Sequence, residues 1–334
     1  MDKKNQYQKC PQINNRYINP GASDIRRNYL DILFWKSGGY RDPLHSYAPP
    51  SDFCRPKALL PFDPKKPSAV WINHSTFLIS VFGVSILTDP IWSRHCFALP
   101  VGPRRKHPPA LGMDKLPFID YVLISHNHYD HLDWTTVKKL ALCFPEIKWI
   151  VPKGIKKWFR KRGIESVYEL QWWDKLIFSP EDGVTVHINA VPAQHFSGRS
   201  LFDTDKTLWA GFVVDVQSGE GKNKRLYFAG DTGYNATDFK MIGNCFGGMD
   251  LSLLPIGTYY PRRFMKPVHM HPKEAVQIHK EVQSRFSLGM HWKTFCLSDE
   301  PAERPPYDLY LALKNAELPS NEFIAPDPGE YVNW

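Results

Sequence analysis

The chain has 334 residues, of which 43% are hydrophobic and 23% charged. That balance excludes a disordered or fibrous protein and allows one large core or two smaller ones. A formal charge of +8 at pH 7 fits an anionic partner such as nucleic acid, phospholipid or phosphate ester, or serves solubility alone.

The first ten residues carry charge but no apolar run, so no secretory signal is expected. Residues 1–68 read as an N-terminal extension rich in Pro, Asn and charge, with one helical stretch, "SDIRRNYLDILFWKSGG". Ser23 or Asp24 can cap it and Gly38-Gly39 can end it. Ile25, Tyr29, Ile32 and Leu33 share one face, which Leu30, Phe34 and Trp35 widen. Such a helix packs on the core or dips into a membrane interface. The apolar stretch Phe77–Leu87 is broken by Ser80, Gly83 and Ser85. It falls short of the roughly 20 residues that a spanning helix needs. A cytoplasmic protein, peripherally bound to a membrane, is expected.

Residues 69–334 read as one hydrolase domain. Apolar runs of strand length recur, among them "AVWIN", "VSILTD", "YVLIS", "KWIVP", "VTVHINAV", "RLYFAGD", "LSLLPIG" and "FSLGMH". Several are continuous, as in strands covered on both faces. Helical patterns lie between some of them, at 135–143, 154–162, 236–242, 272–282 and 307–315. The mixture predicts an α/β fold. Cysteines at 10, 54, 96, 143, 245 and 296 show no CxxC spacing. That argues for free thiols in a reducing compartment and against a cysteine zinc site.

The chemistry concentrates in "SHNHYDHLD", Ser125 to Asp133, directly after an apolar strand. A core does not absorb so many polar side chains without partners. Imidazole and carboxylate are good ligands for zinc and similar divalent ions. His126 and His128, two apart in a turning backbone, can converge on one ion. Asp130 and His131 can face a second. Three further candidates, His195, Asp231 and His291, also follow apolar runs, where α/β sheets present their chemistry.

"SHNHYDHLD" resembles the HxHxDH signature of the metallo-β-lactamase fold superfamily, and His195, Asp231 and His291 follow in that family's order. The resemblance implies an αβ/βα four-layer sandwich of two mixed β-sheets with outer helices. It implies a dinuclear centre, with His126, His128 and His195 on one metal, Asp130, His131 and His291 on the other, and Asp231 bridging. Longer strings narrow the resemblance. "LTDPIW", "GPRR", "QWWD", "FAGDTGY", "PIGTYYPRRFM", "HPKEAVQIH" and "MHWKTF" are similar to the N-acyl-phosphatidylethanolamine-hydrolysing phospholipase D family. This implies two zinc ions, or other divalent metals, and a hydroxide bridging them that attacks phosphorus. The products are N-acylethanolamine and phosphatidic acid. The expected partners are a phospholipid and a membrane surface, without nucleic acid, and a homodimer is open. The alternative is a soluble metal-dependent lactonase or small-molecule phosphodiesterase of the same fold.

Around the ligands, Asp130 is also a candidate for proton shuttling, and the resemblance places His269 at the substrate headgroup as a catalytic and binding residue. Tyr259 is expected to donate to the substrate phosphate or to pack at the pocket wall. Asp89, in "LTDP", is expected either to orient a ligand imidazole or to serve the turn before Pro90. His74, in "INHS", either approaches the site or is a satisfied core histidine. His271, where the family has an acidic residue, reads as a helix-start residue.

Overall fold

The structure is a computed structural model that describes residues 7–20, 29–40, 48–57, 62–97, 101–180, 183–200 and 202–334. A short hairpin comes first, β1 (Gln12–Ile13) antiparallel to β2 (Arg16–Tyr17). Its turn residues Asn14 and Asn15 have φ of 50° and 58°, a region that asparagine tolerates better than most side chains. Helix α1 follows as Tyr29–Lys36. Its expected start at Ser23 or Asp24, and Ile25, lie outside the described residues.

The first sheet begins with an antiparallel meander, β3 (Ser68–Asn73), β4 (Thr76–Val81) and β5 (Val84–Thr88). It continues in parallel through β6 (Tyr121–Leu123), α2 (Trp134–Cys143), β7 (Lys148–Pro152), α3 (Lys156–Arg160) and β8 (Val167–Leu170). The second sheet repeats the plan. Strands β9 (Lys175–Phe178), β10 (Thr185–Val191), β11 (Gly211–Gln217) and β12 (Asn223–Phe228) are antiparallel. After α4 (Asp238–Phe246), β13 (Leu251–Pro255) lies parallel to β12. The parallel run continues through α5 (Arg262–Met265), α6 (Pro272–Glu281), β14 (Ser287–Met290), α7 (Arg304–Asn315) and β15 (Phe323–Ile324). Strand β16 (Tyr331–Asn333) then returns to pair with β3 in the first sheet.

Period-two alternation builds the layers. Trp71, Phe77, Ile79, Ile86, Tyr121 and Leu123 face the core shared with Ile188, Val214 and Leu253 of the second sheet. Their neighbours Val70, Ile72, Leu78, Leu87 and Val122 face the other way, onto Val137 and Leu140 of α2 and Phe159 of α3. On the far side Phe239, Ala275, Ile278 and Leu309 bring α4, α6 and α7 against the second sheet. The result is the expected four-layer sandwich. Each fully buried aliphatic or Phe side chain contributes about 1.5–3 kcal/mol, so the inter-sheet core sets a rigid frame for its upper edge. That edge is where β5, β6, β12, β13 and β14 end, and where Asp89, Ser125, Asp231, Thr258 and His291 follow.

The N-terminal extension is bonded to this frame. Cys10 and Tyr17 join the inter-sheet core. Tyr17 N donates to Asp205 O at 2.8 Å, and the Asn19 amide donates to the carbonyl of His195, also at 2.8 Å. Among the described residues no helix is long and apolar enough to cross a membrane.

Candidate metal centre

All seven residues singled out as ligands converge at the upper edge of the sandwich. His126 Nε2 and His195 Nε2 lie 2.7 Å and 3.3 Å from His128 Nδ1. Beside them a second group closes around one hollow. Asp231 Oδ2 is 3.0 Å from His291 Nε2 and 3.3 Å from His131 Nε2, while Asp130 Oδ2 is 3.3 Å and 3.5 Å from the same two nitrogens. Ligands at about 2.0–2.1 Å around a tetrahedral zinc stand about 3.3 Å apart, so this spacing fits an ion. Asp231 Oδ2 also reaches within 3.9 Å of His195 Nε2, between the two groups.

The imidazoles are aimed by their outer nitrogens. Asp89 takes His131 Nδ1 at 2.6 Å and also accepts from Ser125 N and Ser125 Oγ, at 2.7 and 2.5 Å. Ser125 Oγ meets His126 Nδ1 at 2.9 Å. His195 Nδ1 donates to the carbonyl of Val268 at 2.9 Å, and His291 Nδ1 lies 3.1 Å from Thr258 Oγ1. The inward nitrogens of His131 and His291 lie close to the two carboxylates but make no well-formed hydrogen bond, and neither does the buried Asp231 Oδ1. Buried polar atoms are seldom left so, and the donor set with these orphaned atoms fits a pair of borderline divalent cations.

Without cations the charges sort themselves sharply. Burial pushes His291 down, but the charge of Asp231 and the approach of its ring nitrogen to the accepting oxygens of Asp130 and Asp231 outweigh it and raise the group to about 9. His131 is raised in the same way, by Asp231, Asp130 and Asp89 against its burial. Asp130 and Asp231 are held well below the carboxylate range, because His131 overcomes the desolvation that would raise them. His128 falls to about 3 and His195 to about 4, chiefly by burial.

A cavity of about 350 Å³ opens onto the cluster. His128, Asp130, Asp231, His291 and His269 form its floor, and Phe196, Phe264, Met265, Val268 and Leu297 its apolar wall. Ile32 and Trp35 of α1 close one side, where Trp35 stacks on Phe264 at 5.0 Å and donates to Asp299 Oδ2 at 2.9 Å. His269 Nδ1 lies 3.9 Å from Asp231 Oδ2 and has no hydrogen-bond partner.

Tyr259 is not among the residues that line the cavity. Its ring is fully buried and its hydroxyl donates to Asp308 Oδ2 on α7 at 2.6 Å. Thr258, with φ of 64°, turns the chain so that the threonine, not the tyrosine, faces the cavity. A tyrosine after a strand end does not reveal which way it points. His271 caps α6, accepting from Lys273 N while Glu274 accepts from its backbone N–H. Sequence reasoning missed Thr258, Phe196 and Ser125, whose only signal was their place beside a ligand or strand end. His74, left undecided, sits with its Nε2 2.9 Å from Asp130 Oδ2.

This fold with this site defines a metal-dependent hydrolase of the metallo-β-lactamase type. Residues 85–292 match the β-lactamase superfamily domain. The chain is 41% identical to N-acyl-phosphatidylethanolamine-hydrolyzing phospholipase D 1 of Caenorhabditis elegans, over 78% of its own length and 74% of the relative's. It is 39% identical to the mitochondrial N-acyl-phosphatidylethanolamine-hydrolyzing phospholipase D of Saccharomyces cerevisiae, over 72% of its own length and 50% of the yeast protein's. In fold it is similar to the metallo hydrolase Igni18 of Ignicoccus hospitalis, with a TM-score of 0.58, 21% identity, and coverage of 81% of this chain and 99% of the other. The chain belongs to the β-lactamase superfamily and, within it, to the family of N-acyl-phosphatidylethanolamine-hydrolysing phospholipases D.

Proposed function

We propose that this chain is a zinc-dependent phospholipase D that hydrolyses N-acyl-phosphatidylethanolamine to N-acylethanolamine and phosphatidic acid at a membrane surface. The observation that carries the reading is the apolar cavity over the ligand cluster, walled by Phe196, Phe264 and Leu297 and closed on one side by α1. A phosphodiester can sit on the polar floor while its acyl chains follow the apolar wall. On α1, Leu30 is 71% exposed and Phe34 51%, so the same helix that lines the cavity offers apolar side chains to a bilayer.

His126, His128 and His195 would hold one cation and Asp130, His131 and His291 the other, with Asp231 between them. Bound there, such ions would supply Lewis acidity toward a phosphoryl oxygen and lower the pKa of a water that attacks phosphorus. The new P–O bond forms in line with the breaking bond to the ethanolamine oxygen, which takes up a proton as it leaves. His269 is held neutral by burial, well below its ordinary value. It therefore offers one N–H to a phosphoryl or departing oxygen rather than a cationic charge. The apolar wall excludes bulk water from the reacting centre.

The test is a product assay with zinc-loaded protein and N-acyl-phosphatidylethanolamine in mixed micelles, with and without chelator, read by mass spectrometry. Chelator-sensitive release of both products is expected. Their absence from metal-replete protein would transfer the site to a soluble lactone or small phosphodiester.

A further inference from the structure

His74 lies outside the seven-ligand set, yet its ring is fully buried against it. Ring centroids of His74 and His291 are 4.0 Å apart, and Phe295 closes the other side edge-on at 5.2 Å. The backbone that carries the ring is tied down three times. His74 N donates to Thr294 Oγ1 at 2.7 Å, and the His74 carbonyl accepts from His291 N at 2.9 Å and from Trp71 Nε1 at 2.8 Å. Two of these anchors belong to the segment that also carries His291. The residue has φ of 45° in the turn between β3 and β4, a conformation that glycine or asparagine adopts with less strain. The turn itself has no need of an imidazole.

The ring makes one polar contact, Nε2 to Asp130 Oδ2 at 2.9 Å, and its Nδ1 is buried with no partner. A neutral imidazole carries a single N–H. An ionised carboxylate can only accept, so that proton sits on Nε2 and points at Asp130. The orphaned Nδ1 is a cost to the fold that the contact of Nε2 has to offset.

We propose that His74 is a positioning residue of the metal centre, donating Nε2–H to Asp130 Oδ2 and so holding that carboxylate in the second cation pocket. It acts through Asp130 rather than as an eighth ligand. The Asp130 and Asp231 oxygens already stand 3.0–3.5 Å from the His131 and His291 nitrogens, the spacing of ligands around one tetrahedral ion. The His74 ring instead lies alongside that of His291. Asp130 lies on the cavity floor with little of its side chain exposed, and among the described residues the basic nitrogens within 4.0 Å of its Oδ2 are those of His74, His131 and His291. The other two are ligands themselves, so His74 alone holds the carboxylate from outside. The proposal rests on the assignment of the metal centre above.

A matched pair of variants isolates the donor. His74→Gln keeps an N–H near the place of Nε2, and His74→Met has the same length, the same unbranched β-carbon and no donor. Both meet the same left-handed backbone, so strain cancels in the comparison. Apoprotein of each would be titrated with cobalt(II) and followed by its d–d absorption, beside Asp231→Asn as control. The second cobalt should bind at least tenfold more weakly to His74→Met than to His74→Gln, with the thermal midpoints of the two alike. Equal cobalt binding in the pair, with Asp231→Asn deficient, overturns the role of His74 alone. Full binding by Asp231→Asn overturns the metal assignment beneath it. Should His74→Met fail to fold, nitrogen NMR of histidine-labelled, zinc-loaded wild-type protein decides. A protonated Nε2 and a bare Nδ1 on His74 are expected, and a zinc-bound Nε2 overturns the proposal.

Discussion

Asp89 Oδ2 and His131 Nδ1 lie 2.6 Å apart, both side chains wholly buried, although 42 residues separate them in the chain. The carboxylate stands where β5 ends and the imidazole in the loop after β6, and the parallel pairing of those strands brings them level. The same carboxylate holds Ser125, which in turn meets His126. One buried aspartate therefore orients an imidazole in each half of the centre. In Asp89→Ala, metal affinity should fall about 10- to 100-fold, measured by competition with a chromogenic chelator. Unchanged affinity would show that the ligand loop is held by its own turns.

The apoprotein should have a stability maximum on the pH axis. His291 is raised to about 9 in the fold and lies near 6.5 unfolded. Its contribution is therefore complete below about 6.5 and disappears as pH rises through about 9. His128 and His195 have the opposite sign, being lowered to about 3 and about 4. The unfolded chain binds their protons first, so stability falls as pH drops below about 6.5. Urea unfolding of the apoprotein from pH 4 to 10 should trace both arms. Zinc should flatten the alkaline arm, since loading displaces protons from His131 and His291. Calorimetry in buffers of different ionisation heat should count protons released at pH 7.

His269→Ala should lower kcat by roughly 100-fold or more while leaving both metals in place, because His269 faces the cavity without a hydrogen-bond partner on Nδ1. Metal analysis beside the rate separates this from a collapsed site. A parallel loss of metal would make His269 a ligand.

Tyr259→Phe should behave in the reverse way. The lost hydroxyl leaves Asp308 with Arg304, which donates to its other oxygen at 2.8 Å. A stability loss of about 1–3 kcal/mol is expected in denaturant, with KM and kcat near wild type. A KM raised for lipid alone would return Tyr259 to the substrate.

Phe34→Ser with Leu33→Ser should weaken partition onto anionic vesicles by about tenfold or more, since partly burying two apolar side chains is worth at least about 1.4 kcal/mol. Leu33 is 46% exposed beside Phe34, so folding should be unaffected. Vesicle binding equal to wild type would remove α1 from any membrane contact. Ile32→Glu, on the cavity side of α1, should instead raise KM for micellar lipid and spare a short soluble phosphodiester.

Much of this site was legible in the chain because ligand chemistry is local. His126, His128, Asp130 and His131 share one loop, and His195, Asp231 and His291 each follow an apolar run that reads as a strand. The apolar runs quoted above are strands because their hydrophobic pattern is short-range and strong. Weak elements escaped for the opposite reason. Strand β9 is a half-exposed edge strand, and β16 is three residues whose partner β3 lies some 260 positions away. Orientation escaped as well. Nothing near Tyr259 in sequence announces Asp308, and nothing near His74 announces Asp130. Residue types and their order thus determined the fold class, the cluster of histidines and aspartates able to bind metal, and the family. Only the tertiary structure decided which nitrogen each imidazole turns inward, which carboxylate steadies it and which aromatic rings line the cavity. Those choices depend on strand register and packing between segments far apart in the chain, and no local pattern carries that information.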